Sequence, residues 1–170
     1  MHTLWRVRRV QWQNLSYEKQ LEFKQNEVVN NILRIGGVDQ FETQPILGAE
    51  KQYYYRNKME FSFSDARWLT LDEVNSDAEI HDKNALGFHI PGMWSKILDL
   101  KECHLQEDPS NALRLAVKQY AVENNLDFFD VRNQEGFLRT MMLRQNSKGE
   151  WMVLFQLFRE EKENREKLFA

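Results

Sequence analysis

The cysteine Cys103 and the histidine that follows it, His104, are the first residues to consider for covalent chemistry. A thiol nucleophile needs a base and an orienting group within reach. The pattern from Lys96 to Cys103 predicts a strand, in which neighbouring side chains point to opposite faces, so His104 would not activate Cys103. A lone cysteine more often serves as a small buried apolar residue. We therefore predict no nucleophilic catalysis by Cys103.

Metal and cofactor motifs give no further catalytic residue. His81, His89 and His104 are scattered, and no two share a helix face. One cysteine excludes an internal disulfide and any metal site built from several thiolates of this chain alone. The sequence also lacks a glycine-rich phosphate loop, a dinucleotide-binding fingerprint, a nucleophile elbow and a His-Glu metal motif.

Two groups of basic residues lie among aromatic or alternating residues. Such groups can bind RNA through phosphate contacts and base stacking. The alternative is a solvated sheet face with tyrosines partly in the core, which the residues alone favour. The net charge of −3 also argues against strong autonomous nucleic-acid binding. The first group is Lys51, Arg56 and Lys58 around Tyr53 to Tyr55, and the second is Arg132, Arg139, Arg144 and Lys148.

The elements that must position these residues begin with a helix. Apolar residues recur at helical spacing from Tyr17 to Ile35, with Ser16 as the cap and Gly36-Gly37 as the stop. Around Lys58 the period changes to two, which predicts a half-buried strand. The acidic stretch from Trp68 to Lys83 is predicted to be an irregular loop.

The second half of the chain predicts two hairpins and two helices. Pro91-Gly92 and the cluster from Asn146 to Gly149 are turn signals between strand patterns. Asp108-Pro109 predicts a cap followed by proline at the first helical position. Hairpins in this order predict an α+β fold, a single domain with helices packed against an antiparallel sheet. The predicted strands are Leu86 to Ile90, Lys96 to Cys103, Phe137 to Arg144 and Glu150 to Phe158. The predicted helices are one that ends at Asn124-Asn125, with the apolar stripe Leu113, Ala116, Val117, Tyr120 and Ala121, and the first turns of another in the segment Arg159 to Ala170.

Length and hydropathy bound the class of protein. The 170 residues suit one domain with a sizeable core. The sequence contains no apolar run long enough to span a bilayer, and residues 1–9 lack the apolar centre of a secretion signal. We therefore expect a cytoplasmic protein without membrane contact.

Four segments together resemble one family. The sequence is similar to the central domain of RNA uracil-5-methyltransferases, in particular the iron-sulfur branch that modifies ribosomal RNA. Each segment is a weak motif alone, but the four occur in the family's order. They are QWQNLSYEKQLEFKQ (Gln11 to Gln25), YRNKMEFSFS (Tyr55 to Ser64), LGFHIPGMWSKILDLKECHL (Leu86 to Leu105) and GFLRTMMLR (Gly136 to Arg144).

The resemblance implies that the chemistry lies outside this chain. In the family, an OB-like RNA-binding domain precedes this region, and a domain that binds S-adenosylmethionine follows it. The catalytic cysteine and the glutamate base belong to that last domain. We therefore expect residues 11–170 to be the central domain, truncated before the cofactor domain and inactive alone, with no catalytic residue and no cofactor of its own. The alternative is a free-standing, non-catalytic module that binds RNA or a protein.

By the resemblance, Cys103 matches the isolated fourth ligand of the family's iron-sulfur cluster. The other three ligands come from a Cys-x5-Cys-x2-Cys stretch just before the QWQ segment, where this chain reads MHTLWRVRRV. Read one nucleotide later, permitted codons for those residues spell CTHFGVCGGC, which has the family's spacing. Residues 1–10 are thus expected to be a frameshifted segment, and Cys103 a relic ligand that holds no cluster.

The resemblance also suggests where RNA would bind. In the family, the central domain lines one side of the groove that receives the folded substrate. We expect Arg56, Lys58, Arg139 and Arg144 to contact RNA, with ribosomal RNA as the partner of the intact protein. Each could instead brace the sheet or a domain interface. Exposed former interfaces would also allow two copies of the chain to dimerise.

Overall fold

The computed structural model describes residues 12, 15–76 and 79–169. These residues form two compact units that divide between Gln52 and Tyr53. The expected frameshifted segment, residues 1–10, lies outside the described residues. Within the described ranges, no helix is long and apolar enough to cross a membrane.

The first unit contains helix α1, Tyr17–Arg34. Its predicted cap is confirmed, because the Ser16 side chain accepts a hydrogen bond from the Lys19 backbone N–H. The helix ends at the cap residue Ile35, and Gly37 then takes the left-handed conformation with φ +65°. The Tyr17 hydroxyl oxygen accepts a 2.6 Å hydrogen bond from the Ala49 N–H, which holds the following segment against α1.

The second unit contains a five-stranded sheet, and the predicted α+β class with an antiparallel sheet is confirmed. The strand order is β3-β2-β1-β4-β5, and every neighbouring pair is antiparallel. Both predicted hairpins are present as β2-β3 and β4-β5. The strands are β1 (Lys58–Ser64), β2 (Ala85–Ile90), β3 (Met93–Asp99), β4 (Leu138–Gln145) and β5 (Trp151–Leu157).

The two faces of the sheet differ in polarity because side chains alternate along each strand. We call the face that carries Met59, Phe61 and Phe63 the inner face, and these side chains are buried in the core. Helix α3, Ser110–Glu123, covers this face. Helix α4, Lys162–Phe169, contacts it through the ring of Phe169 against Phe155, with centroids 5.9 Å apart. The outer face carries polar residues of β1 such as Lys58, Glu60 and Ser62.

The buried face of α3 corrects the predicted stripe. Ala116 and Tyr120 are exposed, whereas the buried positions are Ser110, Arg114 and Ala121. Arg114 is 0% exposed, and its guanidinium donates to the carbonyls of Leu86, Leu100 and Lys101. These carbonyls offset part of the cost of burying the charge, whereas the Arg114 Nε atom is buried without a hydrogen-bond partner.

Three further predictions about local structure are wrong. Strand β3 ends at Asp99, so Cys103 lies in a loop and not in a strand. The stretch predicted as irregular contains the short helix α2, Leu71–Val74, which begins with a capping box between Thr70 and Glu73. Helix α3 begins at Ser110, so Pro109 precedes the helix and is not its first residue.

Candidate nucleic-acid interface

A groove of about 240 Å³ lies on the outer face of the sheet. We call it the outer groove. Among the described residues that line it none is acidic, although the whole chain has a net charge of −3. Its lining includes Ser62, His89, Trp94, Ser95, Phe129, Arg139, Thr140 and Gln156.

The β2-β3 hairpin forms one wall of this groove. Gly92 takes φ +77° in the turn, a conformation that favours glycine. The His89 ring is held at both nitrogens, by Nδ1 with the Trp94 carbonyl at 2.9 Å and by Nε2 with the Ser62 hydroxyl at 3.2 Å. Trp94 remains 64% exposed. The hairpin thus presents a fixed imidazole beside an exposed indole.

The opposite wall holds Arg139, one of the four residues predicted to contact RNA. A β-bulge places Leu138 and Arg139 opposite the single residue Leu157, which redirects the arginine. Its guanidinium carbon lies 5.2 Å from the ring centroid of Phe129 and 5.9 Å from that of Phe158. These cation–π contacts hold the side chain, and no carboxylate among the described residues pairs with it.

Lys58 and Arg144 lie at the other end of the same face. They are direct cross-strand partners of β1 and β4, so two cations stand side by side. Glu60 is 2.7 Å from the Lys58 ammonium group and offsets part of this repulsion. Arg144 is five positions from Arg139 along β4, about 17 Å at the usual rise of a strand. The structure therefore brings Lys58 and Arg144 together and leaves Arg139 apart from them.

Arg56 lies beside the loop that contains Cys103. Its backbone N–H donates to the Leu105 carbonyl at 2.8 Å, and its side chain is half-buried. Cys103 is 3% exposed, and Asn111 binds both its N–H and its carbonyl. Burial raises the pKa of the Cys103 thiol, although hydrogen bonding and the charges of Arg114 and Arg56 oppose this. The thiol is therefore protonated at neutral pH and is a poor nucleophile.

His104 does not pair with Cys103. Its Nδ1 atom lies 3.1 Å from the Tyr54 hydroxyl, and its ring makes an edge contact with Tyr53. The prediction that Cys103 and His104 lie in a strand was wrong. The His104 ring nevertheless contacts Tyr53 and Tyr54 and not the Cys103 thiol.

The residues around Cys103 do not fit an iron-sulfur cluster. Such a cluster is held by four cysteine thiolates, or by three or two with histidine replacing the rest, and the chain has one cysteine. Across the described ranges, no group of three or more His, Cys, Asp and Glu residues is arranged to hold a metal ion.

A second cleft of about 530 Å³ has the opposite character, and we call it the acidic cleft. Burial raises the pKa of Asp65, and the nearby charge of Asp130 raises it further. Arg159 is the only cation among the described residues that line the cleft. The four carboxylates of its lining belong to Asp65, Asp127, Asp130 and Glu135.

The sequence did not predict the outer groove. Of its described lining residues, only Arg139 was predicted to contact RNA. Ser62, His89 and Trp94 come from three strands, and their spacing in the chain carries no motif. The available signal was Trp94, two residues after the Pro91-Gly92 turn, because a large aromatic residue near a hairpin tip is difficult to bury.

Comparisons with known proteins agree on one family. The chain is 48% identical over 143 residues to an uncharacterized RNA methyltransferase of Bacteroides thetaiotaomicron, covering 84% of this chain and 32% of that protein. It is 46% identical over 164 residues to one of Porphyromonas gingivalis, covering 94% of this chain and 35% of that protein. The chain thus spans about a third of the length of the curated relatives it matches.

A solved structure shows the same fold. The tRNA (uracil-54, C5)-methyltransferase of Pyrococcus abyssi, in complex with S-adenosyl-L-homocysteine, matches with a TM-score of 0.63 and 26% identity. The match covers 91% of this chain and 32% of that one. No protein-family model matches the chain. Together, the relatives and the solved structure support the RNA methyltransferase family for the segment that this chain spans.

Proposed function

We propose that this chain is the substrate-side domain of an S-adenosylmethionine-dependent RNA (uracil-5-)-methyltransferase, and that the outer face of its sheet contacts the RNA. In the whole protein, a cysteine adds to uracil C6 and the methyl group passes from S-adenosylmethionine to C5. Loss of the C5 proton then breaks the C6–sulfur bond, which releases the cysteine and restores the C5–C6 double bond. No residue of this chain is assigned to these steps. Its role is to hold and orient the RNA.

The observation that carries this proposal is the distribution of charge on the outer face. Arg139, Lys58 and Arg144 lie on that face, and the outer groove has no acidic residue in its described lining. RNA binding depends on phosphate neutralisation, so a surface of this kind can bind RNA even when the total charge is negative. Arg56 adds a fourth cation in the same unit.

The substrate RNA and the segment assignments are parts of the same proposal. The solved neighbour is named for tRNA, whereas the resemblance of the four segments favours ribosomal RNA, so both RNAs belong in the test. Residues 11–170 are proposed as the central domain, with Cys103 as a relic ligand and residues 1–10 as a frameshifted segment. Sequencing the DNA upstream of Gln11 tests this last point, and an intact unrelated sequence there would refute it.

The experiment is RNA binding by the full 170-residue chain, measured by fluorescence anisotropy with a tRNA and with a ribosomal RNA fragment. If four cations contact phosphates, affinity for a single-stranded site should fall roughly 50-fold between 50 and 200 mM salt. Arg56→Gln, Lys58→Gln, Arg139→Gln and Arg144→Gln should each lower the logarithmic salt slope by about 0.7.

The matched control is Lys162→Gln. Lys162 is an exposed lysine of α4, whose side chain is 77% accessible, and it lies outside the outer groove. Its replacement should leave both the affinity and the salt slope unchanged. Absence of binding by the wild-type chain at 50 mM salt, or an equal effect of the control, would overturn the proposed RNA surface.

A further inference from the structure

We propose that the outer groove is a subsite for one unstacked nucleotide of single-stranded RNA, with its base against the Trp94 indole and its phosphate at Arg139. This inference rests on the proposed function and specifies how the outer face would hold the RNA. The contacts that carry it are those of Trp94, His89, Ser62 and Arg139.

Trp94 is the stacking platform. Its side chain is 64% exposed at the tip of the β2-β3 hairpin, so a large apolar surface faces solvent. The backbone beneath it is fixed, because the His89 ring binds the Trp94 carbonyl at 2.9 Å. Stacking of a base on an exposed aromatic ring is worth about 1–3 kcal/mol and tolerates any base.

The hydrogen bonds of His89 determine what Ser62 offers to a ligand. A carbonyl oxygen only accepts, so Nδ1 of His89 must carry the proton that it donates to the Trp94 carbonyl. In the neutral ring Nε2 is then an acceptor, and the Ser62 hydroxyl donates to it across 3.2 Å. The Ser62 oxygen is left with acceptor lone pairs only. It can therefore receive an N–H from the edge of a base.

Arg139 supplies the anion contact. The rings of Phe129 and Phe158 hold its guanidinium group in place, at 5.2 and 5.9 Å from their centroids. In the described part of the chain no carboxylate competes for its N–H donors, so these remain for a phosphate. A second cation stands near the same groove, because Arg132 donates to the Ser95 hydroxyl at 3.3 Å.

The size of the groove favours a single nucleotide. Its volume of about 240 Å³ is below the range of about 300–1,000 Å³ that is typical of pockets for drug-sized ligands. A duplex keeps its bases stacked and cannot place one in such a groove. Unstacked bases of loops and bulges can do so, and stacking on aromatic side chains is their usual mode of recognition.

The test compares Trp94→Ala and Trp94→Phe with the wild-type chain. The probes are a 12-nucleotide single-stranded RNA of mixed sequence and the same sequence as a duplex, read by fluorescence anisotropy. Trp94→Ala should weaken single-strand binding about 5- to 150-fold and leave duplex binding unchanged. Trp94→Phe should retain most of the affinity. Because Trp94 carries no charge, the salt slope should not change.

Phe169→Ala is the matched aromatic control, since Phe169 is also 64% exposed but lies in α4. It should change affinity less than twofold. Far-ultraviolet circular dichroism checks that each variant is folded. If the wild-type chain binds RNA but Trp94→Ala changes affinity less than twofold, or weakens duplex binding equally, the nucleotide subsite is wrong while the proposed function stands. If the wild-type chain binds no RNA, both are wrong.

Discussion

The outer groove and the acidic cleft belong to the same unit of the protein and differ most in charge. Four carboxylates line the acidic cleft, with Arg159 as the one cation of its described lining. The described lining of the outer groove has no carboxylate and includes Arg139. A polyanion would be repelled by the first region and accepted by the second.

This difference shows why the total charge was a poor guide to RNA binding. A net charge of −3 describes the sum over 170 residues, whereas a phosphate is screened from charges more than about 8–10 Å away at physiological salt. Affinity is therefore set by the surface that the RNA touches. The acidic cleft also makes one side of the unit negative, and this charge would repel RNA from that side.

The largest expected effect comes from Arg114, the buried cation that packs on Phe61 at the inner face of the sheet and supports the unit to which both regions belong. Arg114→Met leaves the carbonyls of Leu86, Leu100 and Lys101 without their donor. Unfolding in urea should show a loss of about 3 kcal/mol, since hydrogen bonds to charged groups are worth about 1.5–3 kcal/mol each and removal of the buried charge offsets part of the loss.

Leu115→Met is the control for this substitution. Leu115 is the next residue of α3 and is exposed, so its replacement should change the free energy of unfolding by less than about 0.5 kcal/mol. A loss below about 1 kcal/mol for Arg114→Met would show that the three carbonyls do not depend on Arg114.

Charge reversal in the outer groove should remove its difference in charge from the acidic cleft. Arg139→Glu places a carboxylate where the described lining has none, and it removes the proposed phosphate contact. RNA affinity at 50 mM salt should fall about 10- to 100-fold, which corresponds to about 1.4–2.7 kcal/mol. Lys162→Glu makes the same change of charge on α4 and should have a much smaller effect. Equal losses for the two variants would mean that only the total charge matters.

Neutralisation of the acidic cleft tests whether its carboxylates affect RNA affinity. The double variant Asp127→Asn and Glu135→Gln removes two of its four carboxylates. Asp127 and Glu135 are exposed and are not touched by the RNA in the proposal, so salt should screen most of their repulsion. Anisotropy should show a gain in affinity of no more than about twofold at 150 mM salt. A gain of tenfold or more would place the RNA near the acidic cleft and refute the assigned surface.

The smallest expected effect concerns Asp65 alone. Burial and the charge of Asp130 raise the pKa of Asp65, so its charged form is less stable in the folded protein than in the unfolded chain. Asp65→Asn should increase the free energy of unfolding at pH 7 by at most about 0.5 kcal/mol, because solvent screens a partly exposed group. The gain should diminish as the pH falls through the raised pKa of Asp65 and disappear below its ordinary value, where Asp65 is protonated in both states. Asp39→Asn, at an exposed carboxyl group, should show no such gain, and a pH-independent gain for Asp65→Asn would argue against the charge explanation.

Local patterns explain which elements were predictable. Helix α1 was predictable from the spacing of its apolar residues. Its cap was predictable because Ser16 lies only three residues before Lys19, whose backbone N–H it binds. The β4-β5 hairpin follows from alternation around a turn cluster. The end of β3 was misplaced because apolar and polar residues continue past Asp99, and only the sheet pairing shows where the ladder stops. Helix α2 was missed because its four residues are too short to show a period.

The candidate site was less predictable than the fold. Arg139 could be predicted because it belongs to a basic group and lies in Gly136 to Arg144, one of the segments that resemble a known family. His89, Ser62 and Trp94 could not, since their association depends on the pairing of β1, β2 and β3. Arg114 was assigned to no site, because a charged residue in a helix is normally solvated and its three carbonyl partners are supplied by residues 13 to 28 positions away.

The sequence by itself determined the class of fold, the order of its main elements and the resemblance to one family, because these depend on spacings within a few turns or strand residues. Tertiary structure alone decided that a chain of negative net charge has an outer groove with no carboxylate in its described lining. It also decided that Cys103 is buried in a loop. The physical reason is that burial and local charge are set by residues distant in the chain that the sheet brings together.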